Sequence, residues 1–392
     1  MEKQPTSPTS QEYSQRVVEA IQTTNPLASA CVLQAFGSIP RHLFVDHYYL
    51  YEGEEAKQWT RYDQEESPAW YERVYSGEAL ITHVEEHGRL LSSSSEPGIM
   101  ATMLDALEVK PGMRVLEIGT GTGYNAALLA CLVGDPHLVT TVDIDAQAIE
   151  PARHAITQVV GEGMTIKQAD GRKGYSANAP YDRIIVTASA PTVPWTWKEQ
   201  LAPGGILVCI LEPRLAKLGG LLKAQEAGRR LQGRILETAG FMELRDSVPS
   251  KHSIQIDFRA PLHTSFPLDR ALFEPDLIRK DHDFTFFLYN EIPDLHMFYK
   301  GEKGEALVFY AKSTPEGYVV CRQSQVKLRG DRSVACSLWT RLVRAYGQWL
   351  HYGRPAISQY QFEMDDISQS LAFTIPSGSM VWPFIRMRQT LT

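Results

Sequence analysis

The sequence predicts a doubly wound α/β domain followed by a C-terminal α+β extension. From Arg114 to about Leu211, short β-rich runs alternate with helical stretches, and this pattern changes after about Arg245. Alternating strands and helices imply a parallel sheet that helices cover on both faces. The chain has 392 residues, more than a single hydrophobic core usually contains. We therefore expect a domain over 11–245 and a second region over 246–392.

The N-terminal part of the chain is predicted to be helical. Residues 1–10 are rich in Pro, Ser and Thr and are predicted to be disordered. Apolar residues with helical spacing over 13–36 predict one or two helices, interrupted at the pair Asn25-Pro26. Residues 46–78 contain nine acids, three Lys or Arg and eight Tyr or Trp. This segment is either a solvated helical insertion whose aromatic side chains pack on the core, or a lid or docking surface for a basic peptide.

The central segment carries the strand and helix pattern of a parallel sheet. Five runs have strand character: 115–118, 139–142, 164–168, 183–187 and 206–211. Three stretches have helical apolar spacing: 124–133, 146–160 and 195–202. Two further runs, 221–227 and 231–238, predict a hairpin that closes this sheet.

The C-terminal region shows a different pattern of elements. Residues 284–289, 306–310 and 318–322 are predicted to be strands. Residues 333–350 have the apolar stripe of an amphipathic helix, which Gly353 follows. The region is therefore predicted to have an α+β fold.

A glycine turn after the first predicted strand is the strongest chemical signal. Glu117 ends the strand, and Gly119, Gly121 and Gly123 alternate before Tyr124 begins a helix. A P-loop is excluded because no Gly-Lys-Ser/Thr follows, and the third glycine comes one residue too early for the dinucleotide fingerprint. An acid at the position of Glu117 is unfavourable beside a pyrophosphate but acceptable beside a cationic ligand.

This turn resembles motif I of S-adenosylmethionine (SAM) dependent methyltransferases, E-x-G-x-G-x-G. In that resemblance Asp143 accepts both ribose hydroxyls, although a helix N-cap is its alternative role, one that Asp145 can fill instead. Asp170 receives the adenine amino group, and Gly171 admits the ring. The cofactor-binding residues implied are Glu117, Gly119, Thr120, Gly121, Gly123, Tyr124, Asp143, Ile144, Asp170, Gly171 and Thr187.

Longer stretches resemble one family of these enzymes, the protein-L-isoaspartate O-methyltransferases. They are AFGSIPRHLFV at 35–45, QADGRKGY at 168–175, APYD at 179–182 and IVTASAPTVP at 185–194. Ser95-Glu96-Pro97, just before a helix predicted over 99–107, is similar to the S-Q-P segment of the family. The resemblance runs from about Gln11 to Arg245 and is interrupted by the acidic aromatic insertion.

The resemblance implies that a methyl group passes from SAM to a peptide carboxylate, giving a methyl ester that can collapse to a succinimide. Ser95 is the expected hydrogen-bond donor beside donor and acceptor, and its alternative role is the N-cap of the following helix. The substrate-binding residues implied are Ser93, Ser94, Ala188, Val193 and Pro194. We expect Val193 and Pro194 to hold the acceptor peptide through backbone and apolar contacts.

Several departures from the family bear on the substrate. Glu78 stands where the family has a basic residue, and Glu96 replaces an amide, which adds negative charge near a carboxylate-binding site. The repair enzymes also end near the position of Arg245. Long homologues are known that methylate an aspartate in ribosomally made, modified peptides, leading to aspartimide. The chain length and the insertion favour such a dedicated peptide substrate over general isoaspartate repair. The extension would then bind the peptide; its alternative role is dimerisation or stability. A non-catalytic SAM-fold binding protein is a third hypothesis.

Composition bounds the remaining expectations. The net charge of −7 argues against a nucleic-acid partner, and no apolar stretch is long enough for a membrane span. Five scattered cysteines and the start of the sequence, which lacks a secretory pattern, predict a cytoplasmic protein with free thiols. The run HVEEH at 83–87 matches a zinc-peptidase pattern, but Gly88 follows at once, so we predict no metal site. The sequence does not predict the oligomeric state.

Overall fold

The N-terminal segment forms two helices in the computed structural model. The described residues are 10–52, 58–65, 67–85, 88–212, 219–245, 257, 259–300, 305–375 and 378–384. Helix α1 (Ser10–Thr24) and helix α2 (Ala30–Ser38) flank the Asn25-Pro26 pair, as predicted. Apart from Ser10, the segment predicted to be disordered lies outside the described residues.

The insertion is not purely helical, as one of its two predictions required, but contains two strands and one helix. Its elements are β1 (His47–Glu52), β2 (Gln58–Asp63) and α3 (Pro68–Val74), and the chain continues with β3 (Leu80–Val84) and β4 (Leu90–Ser94). The four strands form an antiparallel sheet in the order β2-β1-β3-β4. Aromatic side chains suit strands because they pack well across neighbouring strands. Tyr48 stacks on Tyr62 and on Trp70, with ring centroids 5.5 and 4.9 Å apart.

The central domain matches its predicted elements closely. They are α4 (Pro97–Leu107), β5 (Val115–Ile118), α5 (Tyr124–Val133), β6 (Val139–Asp143), α6 (Ala146–Val160), β7 (Thr165–Gln168), β8 (Tyr181–Ala190), α7 (Trp195–Gln200), β9 (Leu201–Leu211), β10 (Gly219–Ala227) and β11 (Arg230–Ala239). Strands β9, β8, β5, β6 and β7 lie side by side in parallel. The prediction of a doubly wound parallel sheet is confirmed.

The C-terminal region combines helices and strands, as predicted. Its elements are β12 (Leu262–Pro267), α8 (Leu277–Lys280), α9 (His282–Glu291), β13 (Leu295–Lys300), β14 (Ala306–Ala311), β15 (Thr314–Cys321), β16 (Gln325–Gly330), α10 (Arg332–His351), β17 (Gln361–Met364), β18 (Gln369–Ile375) and β19 (Gly378–Phe384). The predicted strand 284–289 is wrong, because it forms α9. Every residue over 284–290 is buried, and such a continuous apolar run fits a buried helix as well as a strand.

The main sheet extends beyond the predicted hairpin. It has ten strands in the order β19-β18-β17-β11-β10-β9-β8-β5-β6-β7. Strand β17 pairs with β11 through partners such as Met364 and Leu231, so the hairpin does not close the sheet. The remaining C-terminal strands form a separate sheet, β12-β16-β15-β14-β13. The two predicted regions therefore share one sheet and one hydrophobic cluster, in which Leu231 and Phe362 are both buried.

No helix among the described residues is both long enough and apolar enough to cross a membrane.

Candidate active site

A pocket opens at the carboxyl ends of β5, β6 and β8, opposite the end of β4. Twelve of the predicted site residues line it: Ser93, Ser94, Ser95, Gly119, Thr120, Gly121, Tyr124, Asp143, Ile144, Gly171, Thr187 and Ala188. The carboxyl edge of a parallel sheet is where doubly wound folds bind ligands. The glycine turn (residues 119–123) and the serine segment (residues 92–95) thus meet across one cavity, although they are separated in sequence.

The glycines of the turn are required by backbone conformation and by space. Gly119, Gly121 and Gly123 have φ angles of +106°, +49° and +87°, which residues with a side chain rarely adopt. A Cβ atom on Gly119 would lie 2.5 Å from the Thr187 hydroxyl, and one on Gly171 would lie 2.4 Å from the Ile118 side chain. Gly119 and Gly171 therefore allow neighbouring elements to pack closely at the edge of the pocket.

Glu117 lies beneath the turn rather than in the pocket wall. Its buried carboxyl group accepts hydrogen bonds from the Thr141 hydroxyl at 2.6 Å and the Asn125 amide at 2.7 Å. Thr120 in turn lies 2.8 Å from the Thr141 hydroxyl. Burial raises the pKa of Glu117 to about 7. Its influence on a ligand thus passes through Asn125, which does line the pocket.

Asp143 is held at the tip of β6 by backbone donors. Its two carboxylate oxygens accept hydrogen bonds from the backbone N–H groups of Gly121 and Asp145, each at 2.9 Å. Burial raises the pKa of its carboxyl group. The neighbouring Asp145 caps α6 by accepting from the N–H of Gln147, so Asp143 is not needed as the cap.

Asp170 is engaged within the chain. Arg172 donates to both carboxylate oxygens of Asp170, at 3.0 and 2.9 Å, and these hydrogen bonds lower the pKa of Asp170. Gly171, rather than Asp170, lines the pocket. Contact between Asp170 and a ligand amino group would therefore share the carboxylate with Arg172.

Ser95 lies between β4 and α4 and lines the pocket. The N-cap position of α4 belongs to Glu96, which makes no side-chain capping bond. Ser95 therefore does not serve as the helix cap, which was its alternative role. Its neighbour Ser94 is buried and contacts the guanidinium of Arg41.

Sequence reasoning did not single out Arg41. Its side chain is completely buried, and burial lowers its pKa to about 10. The guanidinium donates to the Ser94 hydroxyl and to the backbone carbonyls of Val74, Glu78, Ser94 and Ser95, at 2.9 to 3.2 Å. The motif that contains it, PRHLF, was noticed only as part of a family resemblance.

Val193 and Pro194 do not line the pocket. Val193 is fully buried, and its backbone N–H and carbonyl are bonded to the side-chain amide of Gln369 in β18, at 2.9 and 3.2 Å. In this arrangement its backbone groups are not available to an acceptor peptide, contrary to our expectation. Ala188, nearer the end of β8, does line the pocket.

One wall of the pocket comes from a segment that carries no motif. Residues 241–245 follow β11 and line the cavity. Ser189 anchors this segment, because its N–H donates to Met242 and its carbonyl accepts from Leu244, both at 2.8 Å. Arg245 lies 3.4 Å from Asp145. Nothing in the local composition could have signalled this role.

The zinc-peptidase pattern lies on a strand. His83 is in β3, with its ring nitrogen 3.4 Å from Asp145, whereas Glu86 and His87 lie outside the described residues. Within the part of the chain that the structure describes, no three His, Cys, Asp or Glu side chains are grouped as metal ligands.

Comparison with known proteins identifies the family. The model described as Protein-L-isoaspartate(D-aspartate) O-methyltransferase (PCMT) matches residues 12–246, more than half of the chain. The chain belongs to this family. Protein-L-isoaspartate O-methyltransferases are SAM-dependent methyltransferases, so SAM is the methyl donor. The family resemblance inferred from the sequence is confirmed.

Two archaeal relatives illustrate the extent of the match. A protein-L-isoaspartate O-methyltransferase of Pyrococcus horikoshii is 34% identical over 198 residues, which are 50% of this chain and 76% of the relative. One of Methanothrix thermoacetophila is 43% identical over 122 residues, 31% of this chain. That match spans 57% of the Methanothrix protein, less than two thirds of its length.

A solved protein-L-isoaspartate O-methyltransferase shares the fold. Its TM-score is 0.53 at 21% sequence identity, and the likeness covers 94% of this chain and 98% of the other. The C-terminal region is thus included in the shared architecture. A chain of similar length therefore has the same fold.

The residues around the pocket fit SAM. Gly119, Gly121 and Gly171 line the pocket, so no side chain of these residues occupies it. Two residues that line the pocket each have a buried polar atom without a hydrogen-bond partner among the described residues: the side-chain oxygen of Asn125 and the hydroxyl of Tyr124. Since buried polar atoms are rarely left unpaired, these two are suited to a bound polar ligand.

Proposed function

We propose that the protein methylates a side-chain or backbone carboxylate of an aspartyl or isoaspartyl residue in a peptide or protein. The observation that carries this proposal is the juxtaposition of the serine segment with the glycine turn. A Cβ atom on Gly121 would lie only 3.5 Å from the backbone carbonyl of Ser93. Donor and acceptor elements therefore face each other in the same pocket.

The lining of the pocket suits an acceptor that is already charged. Among the described residues that line it, there is no histidine or lysine to act as a general base. A carboxylate needs none, because it is ionised at neutral pH. When bound, SAM supplies an electrophilic methyl group. The chain contributes orientation and exclusion of water, which can lower a barrier by about 7–11 kcal/mol in favourable cases.

Ser95 is the residue that we propose orients the acceptor. Its hydroxyl is free of a capping role, and its backbone carbonyl is fixed by Arg41 at 3.1 Å. Ser93, Ser94 and Ala188 are the neighbouring substrate contacts in this proposal. The methyl ester that results can collapse to a succinimide, which reopens to aspartate or isoaspartate.

A dedicated modified peptide is the second candidate substrate. The observation that favours it is a groove of about 520 Å³ beside the inserted β1–β2 hairpin, which meets the pocket at Ser92, Gly121 and Thr122. His47, Tyr49 and Arg61 of the hairpin line this groove, which would receive residues that flank the acceptor. The groove supports a dedicated peptide substrate through the insertion rather than through the length of the chain.

A peptide panel tests both candidates. The protein is incubated with SAM and matched peptides that carry Asp or isoAsp in unrelated sequences, and masses are followed for one added methyl group and later loss of methanol. Turnover of isoAsp in many contexts supports general repair, whereas turnover confined to one sequence supports the dedicated peptide. Absence of methylation in every peptide and in proteins aged to accumulate isoAsp contradicts the proposed function.

The cellular setting remains a prediction. All five cysteines are free, and Cys209 and Cys321 are buried in the core, which supports a reducing compartment such as the cytoplasm. The negative net charge supports a protein or peptide partner rather than a nucleic acid or an anionic membrane surface.

A further inference from the structure

We infer that Arg41 is the buried cation that makes the acceptor site selective for a carboxylate over a neutral group. This inference rests on the proposed function. Arg41 lies between α2 and β1, directly against the backbone of the serine segment. Its Nη2 atom lies 3.2 Å from the carbonyl of Ser94 and 3.1 Å from that of Ser95, and its Nε atom contacts the Ser94 hydroxyl.

The charge of Arg41 has no opposite charge close by. All of its hydrogen-bond acceptors are neutral, and no carboxylate of the described residues lies within 4.0 Å of it. Arg73, a second cation, also lowers the pKa of Arg41, whereas the carboxylate of Glu96 raises it. Glu96 lines a different cavity, together with Glu237. Burying an unpaired cation is costly unless an anion approaches it.

The acceptor site is the place where an anion can approach. The carbonyl that Arg41 binds belongs to Ser95 itself, so a single residue separates the guanidinium from the pocket. Tyr124 lines the pocket and lies near enough to Arg41 to affect its pKa. At an effective dielectric constant of about 20, even a cation about 12 Å away favours an anion over a neutral group about tenfold.

This assignment accounts for the basic residue that the site lacks relative to the family. The family's basic residue is replaced by Glu78, and the carboxylate of Glu78 pairs with Arg73 instead of facing the pocket. Arg41 binds the backbone carbonyl of Glu78 itself and that of Val74, at 2.9 Å each. A positive charge therefore lies beside this position, although residue 78 itself is acidic.

Matched peptides test the inference on the enzyme saturated with S-adenosylhomocysteine, which blocks turnover. Calorimetry measures the affinity for a peptide with the preferred acidic residue and for the same peptide with the corresponding amide. Wild type should prefer the acid. Arg41→Gln should reduce that preference about tenfold while affinity for S-adenosylhomocysteine stays within twofold, and Arg41→Lys should retain most of it. Arg73→Gln, which removes a cation paired with Glu78, is the control.

An unchanged acid-to-amide preference in Arg41→Gln would overturn the inference, and so would an equal loss of affinity for both peptides, because that indicates a purely structural role. A second measurement needs no variant. Since Arg41 is buried, the wild-type preference should persist at about 1 M salt, where surface charges are screened. Loss of the preference there also overturns the inference. Failure of the proposed function is distinguishable, since wild type would then neither bind nor methylate any of the peptides.

Discussion

At the scale of single residues, the site depends on side chains whose structural contacts limit the roles that they can have. Ser95 stands at the junction of β4 and α4 without capping the helix, and Arg41 fixes its carbonyl. Glu117 is enclosed beneath the glycine turn and connects to the pocket through Asn125. Both residues can be tested by substitutions that remove one atom or one charge.

Ser95→Ala should lower kcat at least about tenfold, because an oriented hydrogen bond to a charged acceptor is lost. The dissociation constant of SAM should change less than threefold, since the alanine leaves the glycine turn intact. Steady-state methylation and calorimetry measure the two quantities. Ser265→Ala on the exposed face of β12 is the control. A normal kcat in Ser95→Ala would remove the role assigned to this hydroxyl.

Glu117→Gln should change how stability depends on pH. The folded-state pKa of about 7 is above the ordinary value of 4.5, so the folded protein retains a proton that the unfolded chain releases. Stability contributed at low pH is therefore lost as the pH rises from about 4.5 through 7. Relative to Glu117→Gln, wild type should lose up to about 3 kcal/mol over this range. Urea unfolding at pH 5 and pH 8 measures this, and parallel pH dependences would contradict it.

At the scale of elements, the pocket exists because strand ends and turns approach without side chains between them. The tip of β5 contacts the turn after β7, where Gly171 lies against Ile118. The end of β8 contacts the glycine turn, where the Thr187 hydroxyl donates to the carbonyl of Gly119 at 2.7 Å. A methyl group at either glycine would separate these elements.

Gly171→Ala should weaken SAM binding at least about tenfold and lower stability by about 1–3 kcal/mol, because the new Cβ atom would overlap Ile118. Gly347→Ala is the matched control. Gly347 lies exposed within α10, where nothing would contact the added methyl group, so stability should rise by about 0.5–1 kcal/mol. Calorimetric titration and thermal unfolding give both values. Equal behaviour of the two variants would refute this account of the close packing between Gly171 and Ile118.

At the scale of the whole molecule, the predicted extension is part of the main sheet. Strand β17 pairs with β11, and Gln369 at the start of β18 holds both backbone polar groups of Val193. Phe286 of α9 and Tyr360, which precedes β17, pack with their ring centroids 5.2 Å apart in the same core. The C-terminal region thus buries the outer strands of the catalytic sheet.

Gln369→Leu should destabilise the protein by about 2 kcal/mol or more, because the N–H and carbonyl of Val193 would remain buried without partners. Gln323→Leu, on an exposed turn, should change stability by less than about 0.5 kcal/mol. Denaturant unfolding compares the two. If Gln369→Leu were as stable as wild type, the link between the two regions would carry no energetic weight.

The sequence predicted the parallel sheet and most of the pocket because both leave local patterns. The strand-turn-helix at 115–133 and the acid at 143 are dictated by backbone geometry within a few residues. Pairing of β17 with β11 and the bonds of Gln369 to Val193 join residues far apart in sequence, so no local pattern could reveal them. The helix over 284–290 was missed because burial on every side removes the helical period.

The ten-stranded sheet also has a practical consequence for work on this protein. Cutting the chain after residue 245 would remove β17, one of the two partners of β11. The backbone donors and acceptors along that edge of β11 would then be unpaired. Such a fragment would tend to associate through that edge, even though it retains all but one residue of the family match. Any shorter catalytic fragment should therefore keep strands β17 to β19.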